Sequence, residues 1–227
     1  MKYFHEKSIE NLFRDSFSQA ARGRGDVHIA ASLDGQDRIA GADYLFTNSA
    51  RYAIVEFKDR EKNLKSEIRK AKRHLLCQAL HSEPDALTAH RKCHFAAWGE
   101  ESNGITIKSN VYYNEVCNAD FWGSQFEYIN NANHTTRTSG NDFIDRFLSG
   151  EEGADIHEFD AYIAWLLQLG DDSNTSGYLE LLISNPYDRR SAGLSFKSVR
   201  AMHTWVENHR PAPSNTCNPN FEAPSGP

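Results

Sequence analysis

The sequence predicts an α/β fold of the α+β type: a mixed central sheet flanked by helices, followed by a mainly helical C-terminal region. Three observations predict it. The first hundred residues read as helix, strand, strand, strand, helix, strand. The apolar period switches between helical spacing and short continuous runs. The 227 residues are 39% hydrophobic and 25% charged, a composition able to build a sizeable core.

The elements follow in chain order. Ile9, Leu12, Phe13 and Phe17 recur at three and four, so a first helix is expected over Glu6 to Ala20. "RGRGD" breaks that pattern, "VHIAASL" reads as a strand, and "DGQD" signals a turn. "IAGADYLFTN" and "YAIVEFKDR" are the next two strands, joined near "NSAR". A basic amphipathic helix is expected from Asn63 to Ser82, with Leu64, Ile68, Ala71, Leu75 and Ala79 as its apolar stripe and "SEPD" as its stop. "CHFAAWG" reads as a buried strand, and "GITIKSNVYYNEV" as a more peripheral strand or pair.

Residues 1–129 are thus read as the α/β core. "NNANHTTRTSGND", residues 130–142, is a long polar loop. Residues 143–210 show mostly helical spacing, although "GYLELLIS" fits helix or strand. Residues 211–227, rich in Pro, Asn and Ser, are expected to be disordered.

No run approaches the roughly 18 apolar residues of a membrane span, and "MKYFHEKSIENLF" lacks an apolar signal core. A cytoplasmic protein with no membrane association is expected. On that expectation the four cysteines, Cys77, Cys93, Cys117 and Cys217, are reduced thiols. The formal net charge of −6 argues against coating nucleic acid by bulk charge.

One strand carries an unusual ending. Side chains alternate across a strand, so Tyr52, Ile54, Glu56 and Lys58 share one face, and Ala53, Val55 and Phe57 the other. Both faces begin apolar, as in a central strand, and only one becomes charged. An even-length hairpin loop centred between Ser49 and Ala50 sets Asp43 directly across from Glu56, with Cβ atoms roughly 4.5–5.5 Å apart, whereas an odd-length loop slips the register by one. Two facing carboxylates repel unless something compensates. Mg²⁺ or Mn²⁺ is the natural compensator, being a hard cation that takes carboxylate oxygens. Lys58 alongside would orient a water or offset charge developing on a phosphate. Two acids, a metal and a lysine suit phosphodiester hydrolysis better than hydride or acyl transfer.

"GAD" at 41–43 followed by "EFK" at 56–58 resembles the signature of the PD-(D/E)xK nuclease superfamily, the restriction-endonuclease-like proteins. The likeness spans roughly residues 5 to 100, including element order. It implies that Asp43 and Glu56 are metal ligands, the Phe57 carbonyl a third, and Lys58 the catalytic lysine. The family often adds a glutamate from the first helix; Glu10 is the best match and Glu6 the second. Ala42 stands where the family commonly has proline.

From Lys58 to Arg73 there are eight Lys or Arg against three acids. Lys65, Arg69, Lys72 and Arg73 are the expected phosphate-tracking residues, against the reading of an ordinary solvated helix face. His74, Cys77, His81, Cys93 and His94 match no standard zinc spacing. Trp98, Trp122, Tyr112 and Tyr113 read as packing rather than as base-stacking platforms. The leading expectation is a metal-dependent nuclease acting on DNA, with a protein partner or homo-oligomer supplying further surface. Restriction, repair and defence against mobile DNA are the roles the resemblance implies. The alternative is a catalytically inactive subunit of the same fold that binds nucleic acid or a protein.

Overall fold

The computed structural model describes residues 5–26, 28–33, 42–48, 50–101, 104–123, 133–169, 179–184 and 191–208. The expected "DGQD" turn, the start of the polar loop and the 211–227 tail lie outside these residues.

Helix α1 spans Glu6–Arg24. Ile9, Phe13, Phe17 and Ala21, each four apart, form its buried stripe. It ends because Gly25 adopts φ 74°, and its N–H closes the last turn onto Ala21 and Arg22. Strands β1 (Ile29–Ser32), β2 (Tyr44–Thr47) and β3 (Tyr52–Lys58) form an antiparallel meander. Strand β4 (His94–Glu101) lies parallel to β3. Strands β5 (Ile105–Val111) and β6 (Thr138–Ser139) follow beside it, both antiparallel.

The crossover from β3 to β4 differs from expectation. In place of one helix over Asn63 to Ser82 there is a 3₁₀ segment, Glu61–Arg69, then a break at Lys70, then α2, Ala71–Ser82. Three residues per turn set Leu64 and Glu67 on one inward side, and both are buried. The break also rotates the phase of α2. Leu76, Cys77 and Leu80 are buried, while Leu75, assigned to the apolar stripe, is 48% exposed. "SEPD" ends α2 but at once starts α3, Pro84–Cys93, with proline at its first helical positions. "VYYNEV" likewise leaves the strand for a short helix, α4, Tyr112–Val116, and α5 covers Ala119–Trp122.

Within the expected polar loop, His134–Thr136 is a 3₁₀ turn, Thr138–Ser139 is β6, and α6 begins at Gly140. Helices α6 (Gly140–Leu148) and α7 (Ile156–Gln168) are helical as expected, α7 starting from a capping box of Asp155 and Glu158. The C-terminal region is not only helical. Strands β7 (Leu179–Ser184) and β8 (Ser191–Phe196) form a hairpin docked on β1, before α8, Val199–Asn208. The result is one eight-stranded mixed sheet, ordered β6-β5-β4-β3-β2-β1-β7-β8.

Two apolar clusters lie on the two faces of this sheet. On one, Phe13 and Phe17 of α1 and Phe143 and Phe147 of α6 pack on Phe46, Val55 and Phe57. On the other, Tyr52, Ile54 and Trp98 meet α2, α4 and α7. The alternation expected for β3 therefore holds, and all seven of its residues are buried. Residues beyond 143 contribute to both clusters and to the same sheet, so they complete this core. Cys77 and Cys117 form a disulfide, contrary to the expectation of free thiols. Their Cα atoms lie 5.2 Å apart, within bonding reach. No described helix is long and apolar enough to cross a membrane.

Candidate active site

The register of β2 and β3 pairs Tyr44 with Val55 and Thr47 with Tyr52. Asp43, one residue before β2, stays in register: its N–H donates to the Val55 carbonyl at 3.0 Å. Its side chain turns toward the strand backbone, Oδ2 accepting from the Phe57 N–H at 2.6 Å. Burial raises the Asp43 carboxyl to about 6, even with that hydrogen bond and the Lys58 charge opposing.

Helix α1 delivers two further acids. Oxygens of Glu6, Glu10 and Asp43 lie within 4.8 Å of one another. Glu10 is nearly buried and held by Lys7 at 2.6 Å. Both first-helix glutamates thus reach Asp43, where one auxiliary acid was expected.

Glu56 and Lys58 project together from the end of β3, with Nζ to Oε1 at 2.5 Å. Lys58 also donates to the Phe57 carbonyl at 2.8 Å, the group expected as a third metal ligand. Lys58 is only 4% exposed. Burial works against its charge, but Glu56, Glu67 and Glu6 outweigh burial and raise its pKa well above the ordinary lysine value. Burial, then the neighbouring Asp43 charge, pushes Glu56 upward. Glu56 Oε2 is buried and receives no hydrogen bond, an orphaned acceptor that costs free energy in this state.

The sequence reading missed Glu67, the hub of the site. It is fully buried, and burial alone would raise its pKa. The Lys58, Arg73 and Lys70 cations overcome that and hold it well below the usual carboxylate range. Oε1 faces Lys70 at 2.8 Å and Lys58 at 3.2 Å; Oε2 accepts from Arg73 at 2.9 Å and the Tyr112 hydroxyl at 3.0 Å. One signal pointed to it: Glu67 is the lone acid between Lys62 and Arg73, three residues after the apolar Leu64.

The phosphate-tracking residues divide. Lys65 and Arg69 are exposed and Lys72 is half-buried. Arg73 is 1% exposed, with its guanidinium 5.9 Å from the Tyr112 ring centroid, so it is a structural cation rather than a surface contact. Its charge is consumed by Glu67, which a helix drawn through 63–82 did not bring inward. A separate cleft of about 610 Å³, which Asp43, Glu56 and Lys58 do not line, carries mixed charge: Arg60, Lys62, Lys65 and Arg137 against Glu61, Glu100, Glu101, Glu115 and Asp120. Trp98, Trp122, Tyr112 and Tyr113 are buried, as the packing reading expected. Cys77 is engaged in its disulfide.

The donor set fits a hard divalent cation. Glu6, Glu10 and Asp43 converge with oxygen ligands only; Glu56, expected to share the ion with Asp43, is not in that group, its Oε1 facing Lys58 and Lys70 and its Oε2 unsatisfied. No family model, curated protein or solved structure matches the chain.

Proposed function

We propose that this chain is a divalent-metal-dependent nuclease, of restriction-endonuclease-like type, that hydrolyses DNA phosphodiester bonds. The observation that carries the reading is the convergence of Glu6, Glu10 and Asp43 beside the Glu56 and Lys58 pair. Asp43 and Glu56, with Glu10 or Glu6, would hold Mg²⁺ or Mn²⁺; the ion supplies Lewis acidity toward a phosphoryl oxygen. Lys58, kept charged by its carboxylate neighbours, acts as a fixed donor and cation and not as a general base. It would orient the attacking water or offset charge on the phosphate. Exposed Lys65 and Arg69, with Lys72, offer charge for the flanking backbone. Restriction, repair and defence are the settings in which such chemistry is used.

The test is plasmid and single-stranded DNA with Mg²⁺ or Mn²⁺, comparing wild type, Asp43→Asn and Glu56→Ala. Metal-dependent cleavage by the wild type alone supports the reading. A second reading, an inactive nucleic-acid or protein-binding subunit, draws on the burial of Lys58 and Glu56 at 4% and 1% exposure. Equal DNA binding by all three proteins without cleavage in either metal would favour it.

A further inference from the structure

We propose that Lys70 is a resident counter-ion for Glu56 that steps aside when a divalent cation binds. The inference rests on the metal-site reading above and deepens it. Two ammonium groups share Glu56 Oε1, Lys58 at 2.5 Å and Lys70 at 2.9 Å, while Oε2 has no hydrogen-bond partner. The two lysines are not equivalent. The Lys58 side chain is 6% exposed and is pinned by the Phe57 carbonyl as well as by Glu67. Lys70 is 41% exposed, and its contacts are Glu56 and Glu67, both buried.

Its backbone position explains the difference. Lys70 sits at the break between the 3₁₀ segment and α2, with extended φ −89° and ψ 106°, and its side chain stays 41% exposed. A four-carbon chain anchored there reaches solvent by rotamer changes alone. Lys58 has no such exit. Asp43, Glu56 and Glu67 crowd three acids beside Lys58 and Arg73, and the Lys70 ammonium offsets part of their charge in the resting state. A divalent cation on Asp43 and Glu56 repels that ammonium and replaces its charge. Lys70 then turns outward, beside exposed Arg69 and half-buried Lys72, toward the surface on which a phosphate backbone would lie. Metal loading and the presentation of one more cation are in this way a single event.

The resting contact lowers apparent metal affinity, because only the fraction with Lys70 displaced is competent. The test is calorimetric titration of the full chain with Mn²⁺, without nucleic acid. Lys70→Met is expected to bind Mn²⁺ at least about fivefold more tightly than wild type. Lys70→Gln, which keeps a donor for Glu56 but no charge, shows a rise in the same direction and serves if the methionine variant folds poorly. Lys70→Arg stays close to wild type. Lys62→Met makes the same change in net charge at an exposed residue outside the cluster and also stays close to wild type. A mere structural defect would weaken metal binding, so a rise separates the two roles. Unchanged or weaker affinity in both neutral variants, with wild-type binding abolished by Asp43→Asn, overturns the role of Lys70 alone. No binding dependent on Asp43 in any of these proteins overturns the metal-site reading together with it.

Discussion

Glu67→Gln keeps the shape of the buried hub and removes only its charge. In the native site that carboxylate faces Lys58, Lys70, Arg73 and the Tyr112 hydroxyl. An amide offers one oxygen and one NH₂. Whichever way it is turned, its donors point at the two ammonium groups or at the guanidinium. Arg73, 1% exposed, loses its Glu67 partner and keeps its charge. Breaking a buried pair from one side costs about 3–5 kcal/mol, a large share of the roughly 5–15 kcal/mol that holds a domain together. Equilibrium urea unfolding followed by far-ultraviolet circular dichroism measures the loss, which appears as a lower midpoint at unchanged slope. Glu67→Gln combined with Arg73→Met removes the cation that Glu67 had neutralised and recovers part of the loss, with a coupling of about 1–3 kcal/mol. A loss below about 1 kcal/mol, or strict additivity in the double variant, would refute the view that Glu67 neutralises this cluster.

Three other outcomes follow from the same structure. Burial, then the His94 and Arg91 charges, hold the His90 imidazole well below its ordinary value, so below about pH 6.5 the unfolded chain takes up a proton that the folded one refuses. That contribution is whole above about pH 6.5 and falls by about 1.4 kcal/mol per unit beneath it; urea titrations at about pH 7 and about pH 5.5 should show a slope that His90→Gln lacks. Cys77→Ser opens a disulfide that spans 40 residues, and chain entropy puts the cost at about 4 kcal/mol, read as a lower urea midpoint in non-reducing buffer. A Cβ at Gly99 would lie 2.6 Å from both the Asp59 carbonyl and Ile9 Cδ1; Gly99→Ala therefore overpacks β4 against α1 and the chain just past β3 and should cost about 1–3 kcal/mol in the same assay.

What was legible in the sequence depended on short-range rules. The hairpin register was readable once an even loop was supposed, and the backbone pairs of β2 and β3 and of Asp43 follow that register. The order of the first four elements, α1 to β3, was readable from the apolar period. The Lys58 to Arg73 segment was not. Its helical spacing suggested one straight helix, whereas a 3₁₀ period and a break at Lys70 turned Glu67 and Arg73 inward. That choice is made by tertiary contacts with Lys58 and Tyr112, which no local pattern encodes. The Cys77 to Cys117 bond joins positions 40 residues apart that only the tertiary fold brings together. The β7–β8 hairpin was equally hidden, because "GYLELLIS" satisfies two periods and "SAGLSF" is too small and mixed to declare itself.

The placement of that hairpin has a consequence for solubility. Without it, β1 would end the sheet and present its unpaired amides to any passing chain; instead Ala31 and Ser32 are paired with Ile183 and Leu182. At the opposite border β6 is only two residues long, too brief a template for another molecule to extend. A fragment cut before residue 179 would keep every acid of the cluster at its address yet lose the cover over β1. Such a fragment would be prone to self-association through that bare margin.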